Sequence, residues 1–446
     1  MQTFKIISIK IIFLGSCLLA MSSISKSDDI ILRNADSLRG LNIEEGSFRE
    51  FFGNVWLIQK DLDLKCDYAK QFINSNAVDL LGNVVITQKT MILKSPKIFY
   101  NGSSGIAVAN NGVALRDVNS YLEAQKGTYS TKAFMADFYG DVFIEDDSVK
   151  IYSDNVVHNR TTRESFATGD VWIFGKYTNV IMKGDTIINI PKDSYSISTG
   201  NTVLFKIDTV RRLDSIFVEE EEQFFSTYIL SLDTLSISCD TMQAYRFIGD
   251  EEYFFDGNVQ IVKENIKAIA KSAVFYKNRN IIILRDKPIV WYDSTQLFSD
   301  SIVIELIDNK LKKISAFGNS IAVTKVDSLD KERINQIAAN DIFIEFDNGK
   351  INSLRGNLNA SSLYFFKDEE GYNGVDRKST DSIHVEFTNG EPENIFWIGS
   401  SIAEFYPENV IFGNIKSYFL PEFKWSDIRP EIQKIMFGRK EKERQF

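Results

Sequence analysis

The chain has 446 residues, 44% of them hydrophobic and 25% charged, with 25 glycines and 7 prolines. That apolar content is enough for a large core and excludes a linker or low-complexity protein. The formal net charge is −10, with acids and bases interleaved, so the surface repels a phosphate backbone and nucleic-acid binding is disfavoured.

At the N-terminus, Lys5 and Lys10 precede an apolar run over 11–21, and Ser22 and Ser23 follow. Lysines, a short apolar run and small residues read as a secretory signal peptide over 1–23, too short to span a bilayer comfortably. Retention as a membrane anchor is the lesser alternative. Leu14-Gly15-Ser16-Cys17 has the form of a lipoprotein cleavage box. Leu18, Leu19 and Met21 continue the apolar run where a lipidated cysteine would be followed by polar residues, which disfavours lipidation. Beyond the leader only Cys66 and Cys239 remain. Export permits a disulfide, but the two occupy equivalent repeat positions and read as small buried residues.

From residue 53 a repeat dominates. Gly53-Asn54-Val55, Gly82-Asn83-Val84, Gly112-Val113, Gly140-Asp141-Val142, Gly169-Asp170-Val171 and Gly200-Asn201-Thr202 recur at intervals of 29, 30, 28, 29 and 31 residues. After each glycine an apolar residue occupies every second position, as in Val84/Ile86, Val142/Ile144 and Val171/Ile173. Such alternation marks a half-buried strand. Glycine beside Asn or Asp supplies the positive-φ residues of a tight turn. A second column, about eleven residues on, reads aliphatic-x-small-Asp, as in Leu64-Lys65-Cys66-Asp67 and Ile151-Tyr152-Ser153-Asp154. Each unit is therefore two strands. Units that cannot bury an apolar face alone must stack.

The segment 211–223, with glutamates at 219–222, interrupts the pattern and divides a first array (24–220) from a second (221–420). In the second array the motif resumes at Gly257-Asn258-Val259, with Ile261 alternating, then at Gly318-Asn319, Gly356-Asn357 and Gly399. The tail, 421–446, ends with Arg439, Lys440, Lys442 and Arg444 and reads as a solvated charged segment. The fold class is all-β: stacked antiparallel strands forming a jelly roll or solenoid in two consecutive arrays.

Catalytic groups are poorly supplied. The two histidines, His158 and His384, lack metal-ligand spacing, and no nucleophile elbow or phosphate loop occurs. Paired carboxylates such as Asp61/Asp63 and Asp146/Asp147 sit where turns are expected. Asp67, Asp154, Asp240 and Asp300 recur once per repeat, which points to structure. The chain therefore reads as a non-enzyme that needs no cofactor and no metal. The 34 Phe, 17 Tyr and 5 Trp fit either a packed core or an apolar interior open to a lipid.

The order Gly-Asn/Asp-Val-x-Ile, aliphatic-x-small-Asp and an aromatic, at about thirty residues behind a signal peptide, resembles the OstA-like (LptA-type) family of lipopolysaccharide-transport bridges, most cleanly over 51–207. In the second array, Asp233-Thr234-Leu235, Cys239-Asp240-Thr241, Pro288-Ile289-Val290-Trp291 with Gln296 and Asp300, and Asn335-Gln336 are similar to OstA-like proteins of Bacteroidota. The resemblance implies a jelly roll whose interior shields the lipid A acyl chains of lipopolysaccharide. It also implies a periplasmic location and end-to-end strand pairing with other jelly-roll components. The groove residues it selects are Val84, Ile86, Val142, Ile144, Val171, Ile173, Val259 and Ile261. A structural solenoid with a closed, dry core and a protein-binding surface is the alternative that alternation leaves open. The chain is longer than one soluble bridge module.

Overall fold

The computed structural model describes residues 29–431, apart from 44–45, 148, 219–222, 248, 308–309, 328–329, 331, 369–370 and 389. The leader with Cys17, the glutamates at 219–222 and the basic end of the tail lie outside the described residues.

Almost every described segment up to Pro407 is a strand, and all pairings are antiparallel, the long strands with their neighbours in the chain and the short half-strands with the matching half one hairpin further on. A typical unit comprises Ala77–Gln88 and Met91–Asn101, joined by a turn with Lys89 at φ 56°. The Gly-Asn pairs do not form these hairpin turns, contrary to the expectation from sequence. They sit in mid-strand, where the register breaks between Leu81 and Val84, Tyr139 and Val142, Thr168 and Val171, and Asp256 and Val259. Two consecutive positive-φ residues, Gly82 at 73° and Asn83 at 43°, make a bulge that bends the strand without ending it.

Each long strand consequently has two halves. Halves before the glycine stack into one wall, and halves after it stack into a second. Met91–Asn101 shows the division: its 99–101 half pairs with Ile106–Ala109 and its 92–94 half with Val113–Asp117. The walls meet along a ridge of bulges and face one another across an interior whose mouth runs between the hairpin turns. Alternation sends Phe51, Leu80, Ile98 and Phe138 inward from the first wall and Val55, Leu57, Val84 and Ile86 inward from the second. One buried cluster runs continuously from Ile30 to Val385.

At the proposed array boundary the pairing does not stop. Tyr195–Val218 and Gln223–Phe247 form a long hairpin, paired from Tyr195↔Tyr245 to Val218↔Gln223 with one register shift between Thr199 and Thr202. Gln223–Phe247 then pairs with Asp250–Lys263, so the sheet passes from one array into the next.

Past Pro407 the regular strands end. A short helix, Glu408–Ile411, and a 3-10 turn, Ile415–Tyr418, lead a strap over the outer face of the second wall. Ile411, Ile415 and Leu420 pack there on Phe298, Ile321, Val323, Leu363, Phe365 and Val375. Gln296, fully buried, donates to Ser426 O at 2.9 Å and accepts from Ser426 N at 3.0 Å.

Candidate functional site: the interior trough

Ridge, walls and mouth each depend on a different residue type. At the ridge, Asn83 Nδ2 donates to Asp67 of the neighbouring strand at 2.8 Å. The same bond joins Asn201 to Asp185 at 2.9 Å, Asn258 to Asp240 at 2.9 Å and Asn319 to Asp300 at 2.7 Å. A Cβ on Gly82 would lie 2.5 Å from Asp67 Oδ2, so glycine is needed for space as well as for φ. The recurrent aspartates thus bind the ridge. The small column beside them faces inward: Cys66 and Cys239 are buried and unbonded to one another, and each thiol donates to a carbonyl. Burial pushes their pKa up to about 11 and about 12.

All eight groove residues expected from sequence lie on the inward face of the second wall. Val84, Ile86, Val142, Val171, Val259 and Ile261 are no more than 1% exposed; Ile173 is buried, and Ile144 packs half-buried against the same cluster. The structure brings them into one interior, where side chains from the first wall fill the space opposite. Val84 also borders a cleft of about 960 Å³ on the ridge, where Pro96 and Gln125 replace the usual aspartate.

Open space between the walls occurs further along. A cavity of about 840 Å³ lies between Ile344, Leu354, Ile383, Val385, Phe387 and Trp397 of the first wall and Ala322, Thr324, Ile337, Ser362 and Tyr364 of the second. It reaches the mouth at Asp293, Lys325, Lys350 and Pro392, where Trp425 and Arg429 of the strap border it. Aliphatic and aromatic side chains line it beside Thr324 and Ser362, with charged groups at its opening, a combination that suits an amphiphile.

The mouth of the first array is laced shut. Tyr100 of the first wall donates to Gln59 of the second at 2.6 Å, and Gln59 donates to Gly102 O at 3.1 Å. One repeat later Tyr129 donates to Gln88 at 3.0 Å and Gln88 donates to Thr131 O at 3.3 Å. One repeat further, Arg160 forms an ion pair with Asp117 at 2.6 Å and also donates to Tyr129. Burial disfavours the Asp117 carboxylate, but hydrogen bonds from Thr90 and Arg160, the Val118 N–H and the guanidinium charge outweigh it. Its pKa falls below the ordinary value. Lys206 and Lys263 occupy the same inward column, paired with Asp208 and with buried Asp233. Tyr292 donates to Gly349 O across the mouth, and the cavity opens beyond it.

Sequence reasoning missed this mouth column, although its signal is present: a polar residue six positions past the motif glycine, in Gln59, Gln88, Asp146, Lys206 and Lys263. Reading the alternation two residues further would have found it. His158 lies in Val149–Asn159, 2.9 Å from Ser165 Oγ, and His384 lies in Gly371–Thr388. Among the described residues no group of three metal-ligating side chains occurs.

Two family models match the sequence. One is described as OstA-like protein and covers residues 27–182; the other is described as LptA/(LptD N-terminal domain) LPS transport protein and covers residues 121–310. No curated protein matches the chain. With a two-walled trough of stacked antiparallel strands, the overlapping matches across 27–310 support an OstA-like member of the lipopolysaccharide-transport families.

Proposed function

We propose that the protein is a non-catalytic periplasmic bridge that carries lipopolysaccharide toward the outer membrane, with the acyl chains shielded between the two walls. The observation that carries this reading is the 840 Å³ cavity, lined by Ile344, Leu354, Ile383, Val385 and Phe387 among others and open at the mouth. Each methylene removed from water there gains about 0.8 kcal/mol, so about ten methylenes gain about 8 kcal/mol. Shielding of this kind needs no reaction, cofactor or metal.

The two arrays divide the work in this reading. The second, 221–420, holds the cavity. The first, 24–220, carries Val84, Ile86, Val142, Ile144, Val171 and Ile173 as a path that acyl chains occupy when the walls part, and Val259 and Ile261 join it to the cavity. The ends suit partners of the same architecture. Among the described residues, Ile31–Asn34 and Ser37–Ile43 pair only with Gly46–Gln59, while Glu391–Ile398 and Ile402–Pro407 pair only with Gly371–Thr388. Each end therefore offers unpaired strand edges to another jelly-roll component of the bridge.

The test is lipopolysaccharide co-purification, measured by mass spectrometry, for the wild-type chain and Val385→Asp. A carboxylate in the cavity leaves an unpaired charge against an acyl chain. The reading expects retained lipid in the wild type and at least a tenfold loss in the variant. A folded Val385→Asp protein retaining wild-type lipid would refute it. The alternative of a closed structural solenoid draws its support from the filled interior of the first array, where the core is dense at every repeat.

A further inference from the structure

Behind the lacing of the first array the interior is occupied: Ile86 and Leu57 are fully buried. An acyl chain can enter only if the walls separate, and separation breaks the bonds that cross the mouth. These bonds recur once per repeat, at Gln59–Tyr100, Gln88–Tyr129 and Asp117–Arg160, each joining one wall to the other. They involve side chains at the mouth, so they can part without unpairing any strand. At the second array Tyr292 donates to Gly349 O, and further along Trp397 Nε1 donates to Ser362 Oγ at 3.1 Å beside the open cavity. The trough is thus laced and filled over its first array and holds an open cavity toward the far end of its second.

We propose that the laced mouth is a gate within the chain: lipid is received in the open cavity, and its acyl chains pass into the first array only as the cross-wall rungs break in succession. This rests on the lipid-carrying function proposed above. A polar head stays outside the mouth while its chains lie within, so any bar across the mouth stands in its way. Hydrogen-bonded rungs yield and re-form behind the chain; a covalent rung does not.

The experiment places a covalent rung at Asp117→Cys with Arg160→Cys, in a full chain with Cys17, Cys66 and Cys239 changed to alanine. One sample is bridged with a short bis-maleimide and the other capped at both thiols with N-ethylmaleimide. Each receives lipopolysaccharide carrying a diazirine near an acyl terminus, and labelled peptides are quantified by mass spectrometry after illumination. The gate predicts labelling at Val385 and Ile86 in the capped protein. In the bridged protein, labelling at Ile86 falls at least tenfold while that at Val385 is unchanged. Equal labelling of Ile86 in both samples overturns the gate, as does an unlabelled Ile86 in both beside a labelled Val385. Absence of label at Val385 in both samples would instead sink the cavity as the lipid site, and the gate with it.

Discussion

Gly82 and Asp67 show how single residues set the bend of the trough. Gly82 holds a positive φ and leaves room for the Asp67 carboxylate, which binds Asn83 across the ridge. Gly82→Ala adds backbone strain and a steric clash, and should cost about 1–3 kcal/mol in denaturant unfolding. Asp117 gives a pH-dependent counterpart. Its folded pKa lies below the unfolded value, so its contribution to stability is complete above the ordinary carboxylate range and is lost as pH falls through the folded pKa. Acid unfolding of Asp117→Asn should therefore be less steep than that of the wild type over that interval; an unchanged profile would remove Asp117–Arg160 from the stabilising contacts. The raised pKa values of Cys66 and Cys239 keep both thiols protonated at neutral pH, so maleimide should modify neither until the protein unfolds.

At the scale of elements, the repeat is more legible than its closure. Gly-Asn-Val with alternating Val84 and Ile86 announces strands with one buried face, because burial imposes period two. The same letters do not tell a hairpin turn from a mid-strand bulge, since both need positive φ; the partner strand decides. The strap is less legible still. Ile411, Ile415 and Leu420 have no repeat spacing, and the face they cover is made of Phe298, Ile321 and Val323, the outward set of strands whose inward set the alternation identifies. Gln296 ties the strap down through Ser426 N and O. Gln296→Ala leaves those backbone groups without their partner and should cost about 1–3 kcal/mol, with faster proteolysis of the C-terminal segment as a local readout.

For the whole molecule, the fold follows from units that have no stable face until stacked, so the walls grow with the chain and the interior with them. The proposed lipid site depends on something a single strand does not carry: the separation of two walls whose facing residues, such as Thr324 and Val385, lie far apart in sequence. Val84 and Ile86 could therefore be placed on the inward face from sequence, while the position of the open space could not. The mouth column occupies a middle ground, periodic in sequence yet meaningful only once Gln59 and Tyr100 are seen on opposite walls. A continuous sheet through Tyr195–Val218 and Gln223–Phe247 makes one trough of two unlike halves.

The most direct test of that trough is site-specific photo-crosslinking of lipopolysaccharide to a photoreactive residue placed in turn at Ile351, Val385 and Ile144, and at the outward neighbour Glu386. Adducts at the inward positions and none at Glu386 are the result this account predicts. Adducts at Glu386 equal to those at Val385, or none at any inward position of a folded protein, would contradict it.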